Sequence, residues 1–309
     1  MKYLFGPVPS RRLGISLGVD LVPLKYCSLN CIYCEVGKTT NLTIKREEYI
    51  PITKVKEELK QYLSNKPELD FVTFSGQGEP TLNSGLGNII DFIKDNFPAY
   101  KVAVITNGTL FWQKEVREEV KRADVILPSL DAVSENIFYR LNRPNHKLEI
   151  NKIMEGLIQL GREFKGKIYL EIFFVPGLND SKQELEKLKN IAKKINPNVI
   201  QLNTLDRPGT VSSVEPLSKE KLIAIKEYFQ PLRTEIIAKA KTRKQIQSFN
   251  KNIEDEILET IKRRPCTDVE LSQILNIHIN ELNKYLSELI DSNKVESIKK
   301  ERGTFFKLK

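Results

Sequence analysis

Only four cysteines, two histidines, two methionines and one tryptophan occur in the 309 residues of this chain. So few cysteines exclude a disulfide-stapled scaffold at this size. The two histidines, His146 and His278, stand at no spacing from a cysteine pair that a local zinc loop would use. No apolar run approaches a membrane span, and Met1 to Arg12, with two prolines and two arginines, holds no hydrophobic stretch of signal-peptide length. The chain is therefore expected in the cytoplasm, with no membrane partner. Repeats of solenoid period and low-complexity segments are lacking as well.

What is present begins with length and charge. A chain of this length suits one large α/β domain with a smaller appendage, or two medium domains. The formal net charge is +9, yet residues 250–309 carry 11 Lys or Arg and 11 Asp or Glu, so the whole excess lies in residues 1–249. A basic enzyme-sized domain suits RNA, a phosphorylated metabolite or an acidic peptide. Lysine-rich proteins that bind no anion share the same excess, so charge alone does not choose.

Short β-branched runs alternate with longer amphipathic segments, which predicts repeated β/α units around a parallel sheet. Six runs stand out: Ile15 to Leu21, Phe71 to Ser75, Val102 to Thr106, Val125 to Leu130, Ile168 to Val175 and Val199 to Asn203. Crossover helices are expected over Ile52 to Asn65, Gly87 to Asn96, Lys114 to Arg122, Ile150 to Phe164 and Ser181 to Ile195. Several runs end in polar or turn residues, and in parallel β/α folds ligands sit at the carboxyl ends of strands. After Pro231 a basic stretch follows, then three helical segments and two short strands around Gly303. The expected fold is α/β: a partial (β/α)6 TIM-like barrel over 1–230, a basic helical extension or linker over 231–250, and a small winged helix-turn-helix domain over 251–309.

Three of the cysteines lie in Cys27-Ser-Leu-Asn-Cys31-Ile-Tyr-Cys34, directly after the first run. Three close thiols without a fourth would leave one iron of a [4Fe-4S] cluster with an open coordination position. Structural zinc on three cysteines and a histidine is the competing reading, and simple packed thiols a third; the polar loop around Ser28 and Asn30 speaks against the last. Cys266, in the appended domain, reads as an ordinary buried thiol.

The spacing C-x3-C-x2-C with Tyr33 before the last cysteine resembles the signature of the radical S-adenosylmethionine (radical SAM) superfamily, over roughly residues 1–230. The resemblance implies a [4Fe-4S] cluster on Cys27, Cys31 and Cys34. Its open iron would bind the amino and carboxylate groups of S-adenosylmethionine. One electron, from a reduced flavodoxin- or ferredoxin-type donor, would then give methionine and a 5′-deoxyadenosyl radical that abstracts hydrogen from the substrate. Ser75-Gly-Gln-Gly-Glu-Pro-Thr-Leu82 resembles the superfamily's Gly-Gly-Glu-Pro segment, with Gln77 in place of the first glycine of the pair. Gly76 and Gly78 would allow close backbone approach, and Glu79 or nearby carbonyls would accept from the cofactor's ammonium group.

By the same resemblance Tyr33, Asn107, Ser129 and Asp131 are expected around the cofactor, with Ser129 and Asp131 toward ribose and the methionine carboxylate. Either residue could instead form a turn or cap a helix. Glu171 faces either the pocket or the helices, and Gln201, Asn203 and Arg207 are candidates for adenine or substrate contacts. Arg11, Arg12, Arg140 and Arg143 would line an anionic entrance, or stand solvated.

The appended domain raises the question of nucleic acid. Its third helix, Asn280 to Asp291, carries Glu281, Glu288 and Asp291 against Lys284, a poor face for sequence-specific DNA, whereas Lys299, Lys300, Arg302 and Lys307 leave nonspecific RNA contact open. Phe5-Gly-Pro-Val-Pro-Ser-Arg-Arg-Leu-Gly14, Gly78 to Leu82 and Pro128 to Asp131 resemble radical SAM relatives of the wyosine-base synthases that modify tRNA. Those synthases hold an additional cluster on further cysteines, for which this chain has no second set. The alternatives are radical modification of a protein or peptide, including activation of a glycyl-radical enzyme, and a DNA-binding regulator that uses the cluster as a redox switch.

Overall fold

The computed structural model describes residues 2–10, 12–205, 209–237, 251–263, 265–300 and 303–309. The chain starts with β1 (Leu4–Ser10) and β2 (Gly14–Val19), then β3 (Tyr26–Cys27) and β4 (Asn41–Leu42). Next come α1 (Ile52–Leu63), β5 (Phe71–Phe74), α2 (Leu86–Asn96), β6 (Lys101–Thr106), α3 (Lys114–Glu119) and β7 (Val125–Pro128). They lead to α4 (Glu135–Asn142), α5 (Ile150–Glu163), β8 (Lys167–Phe174), α6 (Lys182–Ile195), β9 (Val199–Thr204), α7 (Lys219–Tyr228) and β10 (Thr234–Ile236). The C-terminal domain holds α8 (Lys251–Arg263), β11 (Cys266–Thr267), α9 (Asp268–Leu275), α10 (Ile279–Asp291), β12 (Val295–Lys300) and β13 (Gly303–Leu308).

One sheet runs in the order β1-β2-β5-β6-β7-β8-β9-β10. It is parallel from β2 to β10, and β1 is antiparallel at one edge. The six expected runs are its six central strands, and the five expected crossover helices are α1, α2, α3, α5 and α6. This is the α/β, partial TIM-like barrel that the alternation predicted. Two strands of this sheet lie outside the expectation. β1 contains Pro7 and Pro9, which argue against a central strand; at a sheet edge, with a bulge between Phe5 and Val8, they are tolerated. β10 falls inside 231–250, expected as a helical extension or linker, and pairs with β9 instead. Residues 238–250 of that stretch lie outside the described residues.

Period-two alternation assigns the two faces. Val72, Phe74, Val104, Leu170 and Leu202 point outward into one core with Leu59, Ile90 and Leu188 of the helices. Ala103, Val125 and Leu127 point inward with Phe71, Ile105 and Tyr169. Leu13, at the tip of the β1–β2 hairpin, is 2% exposed and belongs to this inner cluster, so the hairpin stoppers the lower end of the lumen.

The C-terminal domain packs α8, α9 and α10 on a three-stranded antiparallel sheet, β11-β13-β12, around its own core of Ile257, Leu271, Leu286 and Phe306. Cys266 is fully buried there, as expected. A capping box between Thr267 and Glu270 starts α9. The domain is seated directly on the barrel: His278 stacks on Phe5 at 3.9 Å between ring centres and pairs with Asp20, Glu281 accepts the Gly6 N–H at 3.4 Å, and Lys299 Nζ donates to the Ser212 carbonyl at 2.9 Å.

Candidate cofactor site at the mouth of the barrel

The loop that carries the three thiols leaves β2 at the carboxyl end of the sheet and is fastened on several sides. β3 pairs with β4, closing the loop on itself. Asn30 and Ile32 donate backbone N–H groups to residues 141–143 at the end of α4, and Asn145 donates to Ser28. Val211 N–H and Thr210 Oγ1 bind the carbonyls of Ile32 and Cys34. Cys27, Cys31 and Cys34 are half-buried, and none is in a disulfide.

Each thiol has a nitrogen donor aimed at its sulfur: Asn107 Nδ2 at 3.5 Å from Cys27, Asn142 Nδ2 at 3.4 Å from Cys31, and Lys25 Nζ at 3.0 Å from Cys34. Donors of this kind stabilise thiolate over thiol. Without metal the balance runs the other way. Burial, with Glu79 nearby, pushes Cys27 up to about 11, and burial beside Asp131 raises Cys31 as well. Metal binding must therefore displace protons. Burial works against the charge of Lys25, but the electrostatic pull of Cys34 and Cys27 and the hydrogen bond to Cys34 outweigh it and hold its pKa above the ordinary lysine value.

Among the described residues, no three His, Cys, Asp or Glu side chains gather closely enough to hold one metal ion. A single zinc needs its ligands converging at about 2.0–2.3 Å, whereas a four-iron cubane takes each thiolate at a separate corner. Three half-buried thiols on one fastened loop, each met by a donor, fit a [4Fe-4S] cluster.

The Gly76–Glu79 loop ends β5 beside this site. A Cβ on Gly76, whose φ is +129°, would lie 1.8 Å from Asp20 Oδ1, and one on Gly78 would lie 2.1 Å from the Tyr26 carbonyl oxygen. Both glycines thus serve a close approach to the chain's own β2 and cluster loop. Glu79 is 2% exposed, and both its oxygens are engaged. Oε1 accepts from Thr81 N–H (3.0 Å), Thr81 Oγ1 and Thr106 Oγ1, and Oε2 from Asn107 N–H (2.7 Å). Burial nevertheless holds its pKa above the carboxylate range. Glu79 therefore ties the loop to the end of β6, a role that strand-end polarity alone did not indicate.

Asp131, 4% exposed, is engaged in the same way. It accepts from the Tyr33 hydroxyl, Asn142 Nδ2 (2.8 Å) and Phe173 N–H (2.9 Å). Burial pushes it up to about 6. Tyr33 also stacks on Phe173 at 3.9 Å, so this pair locks the last turn of the cluster loop to β8. Asn107 donates to Ser28 Oγ at 2.9 Å as well as facing Cys27. Ser129, half-buried on the inward face in line with Val125 and Leu127, makes no side-chain hydrogen bond within the described residues. Its hydroxyl is thus open toward the lumen.

Glu171 faces inward. It accepts from Asn203 Nδ2 at 2.7 Å and pairs with Arg12. Arg12 is accordingly a lumen residue and not part of an anionic entrance. Gln201 neighbours Glu171 in register, and its Oε1 is buried with no hydrogen-bond partner among the described residues. Arg140 and Arg143 do stand exposed, at the rim of a cavity of about 620 Å³ that reaches Ile32. Arg11 and Arg207 lie outside the described residues. A larger cleft of about 940 Å³ opens between Cys34 to Lys38 and the C-terminal domain, where Asp268, Leu286 and Phe305 form its far wall.

Three residues at the site carried no sequence signal. Lys25 is an isolated lysine in a turn, Asn142 ends α4, which was not among the expected helices, and Asp20 follows β2 without any motif. Only the fold brings them to the thiols and to Gln77.

The family profile of the Radical SAM superfamily matches residues 21–192. The chain belongs to the radical SAM superfamily, whose members are enzymes that use a [4Fe-4S] cluster and S-adenosylmethionine. Within it the chain is 32% identical over 298 residues to a UPF0026 protein of Methanocaldococcus jannaschii, covering 93% of this chain and 91% of that one. It is also 36% identical over 295 residues to a Brachyspira hyodysenteriae protein named GTPase Obg; the match covers 95% of this chain but 43% of that relative, so the chain spans less than half its length. In fold it is similar to the structure of TYW1 with a lysine-pyruvate adduct bound, at a TM-score of 0.51 and 18% identity over 69% of this chain and 72% of that one. No helix among the described residues is long and apolar enough to cross a membrane.

Proposed function

We propose that Cys27, Cys31 and Cys34 hold the [4Fe-4S] cluster, and that the chain is an enzyme abstracting hydrogen from a nucleic-acid substrate, tRNA in particular. The observation that carries the chemistry is the trio of fastened thiols, each with a nitrogen donor at its sulfur. When bound, the cluster and S-adenosylmethionine supply a 5′-deoxyadenosyl radical from one electron. The protein's own residues hold and shield that site. Lys25 places a buried cation beside Cys34, Tyr33 on Phe173 closes one side, and the Ser129 hydroxyl offers a polar contact inside the mouth. An anionic substrate is favoured by Arg140 and Arg143 beside the cluster loop and by the +9 charge.

The test is anaerobic. Reconstituted protein is given dithionite, standing in for a flavodoxin- or ferredoxin-type donor, and S-adenosylmethionine. Formation of 5′-deoxyadenosine and methionine is then followed with and without bulk tRNA. Turnover that tRNA stimulates and Cys31→Ala abolishes is the expected result; turnover indifferent to tRNA removes the substrate reading. One feature favours a polypeptide instead: the larger cleft sets Glu35, Asp268 and Glu270 against Lys38 and Lys299, a mixed lining that suits a polypeptide better than a polyanion. In that case tRNA has no effect.

A further inference from the structure

Asp20, just past the end of β2, is 5% exposed, and its carboxylate faces two ways. Oδ1 accepts the Gln77 N–H at 3.1 Å, and Oδ2 meets Nε2 of His278, the residue that caps α10 in the C-terminal domain. The second ring nitrogen settles the tautomer. Nδ1 accepts the Asn280 N–H at 3.0 Å, so it carries no proton, and Nε2 is the N–H that donates to Asp20. A neutral imidazole satisfies both bonds. The ring lies flat on Phe5, with 8° between planes, and one turn further on Glu281 accepts the Gly6 N–H. Gln77 is gripped from the opposite side too. Its carbonyl accepts the Lys25 N–H at 2.6 Å, and Lys25 Nζ reaches Cys34. An unbroken series of bonds thus joins the C-terminal domain to the Gly76–Glu79 loop and on to a cluster thiol.

We propose that His278 is a positioning residue: through Asp20 it fixes the Gly76–Glu79 loop, so the seating of the C-terminal domain on the barrel sets the geometry of the cofactor site. The inference rests on reading that loop as part of the cofactor site. A domain that only captured substrate would need a tether, not a buried carboxylate shared with the loop. Gly76 allows no slack in the arrangement, because any side chain there would displace Asp20.

Two substitutions separate this role from helix capping. His278→Asn places an amide where Nδ1 was, keeping an acceptor for the Asn280 N–H but falling short of Asp20. His278→Gln reaches Asp20 with an N–H donor and gives up the cap. Both are made in the full chain and checked by thermal unfolding. Hydrogen exchange of a peptide spanning Gly76 to Gly78 is then measured by mass spectrometry, and S-adenosylmethionine affinity is measured on the reconstituted protein. In the Asn variant, exchange at Gln77 should speed up about tenfold and affinity should fall by about as much, the effect of losing one charge-assisted hydrogen bond. The Gln variant should stay near wild type in both, while losing more thermal stability. Equal loosening in the two variants, or none in the Asn variant, overturns the proposal; so does loosening at Gln77 with unchanged affinity. If wild-type protein itself fails to bind S-adenosylmethionine, the cofactor reading falls, and the exchange comparison still decides what His278 does to the loop.

Discussion

Replacing Lys25 with methionine keeps the length of a buried side chain and removes its charge. Nζ lies 3.0 Å from Cys34 Sγ. It is thus roughly 5–6 Å from the middle of a cluster held there, and at an effective dielectric of about 20 a unit charge at that distance contributes about 3 kcal/mol to holding an added electron. For a one-electron couple this is on the order of 100 mV. The cation favours the more negative, reduced cluster, so Lys25→Met should lower the midpoint potential by about that amount. Lys25→Arg, which keeps the charge, should recover most of the shift. The assay is a redox titration of the reconstituted protein followed by electron paramagnetic resonance, with iron and sulfide content matched between variants. A shift below about 20 mV, or one toward higher potential, would refute the reasoning, because a buried cation at this range cannot be that weak.

The remaining expectations concern the loops and the substrate face. Gly76→Ala should destabilise the protein by about 2–4 kcal/mol in denaturant titrations, since its Cβ would collide with Asp20 at a φ that disfavours side chains. Asp131 has its pKa raised to about 6, so the folded chain binds a proton that the unfolded chain has released; its contribution is full below the unfolded carboxylate pKa and is lost as pH rises through about 6. Between pH 4 and 7, wild-type metal-free protein should therefore lose about 2 kcal/mol relative to Asp131→Asn, and a pH-independent difference in urea unfolding would contradict this. Replacing Arg140 and Arg143 with alanine should weaken tRNA binding and make the slope of log affinity against log salt shallower by about 1.5; an unchanged slope would place the contact surface elsewhere.

The sheet was legible because its six central strands are continuous apolar runs, and each of five crossover helices carries one apolar stripe. β1 was not, because Pro7 and Pro9 speak against a strand and only its edge position excuses them. β10 was hidden among arginines and lysines, where three residues are too few to show a period. At the site, the thiols could be read from spacing, and the inward faces of Glu171, Gln201 and Asn203 follow from the alternation. What Glu79 and Asp131 do could not be read. The family resemblance points both at the cofactor, yet their hydrogen bonds come from Thr106, Asn107, Tyr33 and Phe173, whose approach depends on how neighbouring loops pack. Lys25 and His278 had no pattern around them, and their significance comes from a thiol nine residues away and a carboxylate on another domain.

The hairpin tip that carries Leu13 and Arg12 has a consequence for the order of traffic. With Leu13 packed among Ala103, Val125 and Leu127, and Arg12 bound to Glu171, the hairpin blocks the lower end of the lumen among the described residues and leaves the cluster-loop end as the way in. Whatever enters first is covered by whatever enters second. If the substrate is a macromolecule resting across that end, a small cofactor would have to arrive ahead of it, and its spent fragments would depart only after the larger molecule had lifted away.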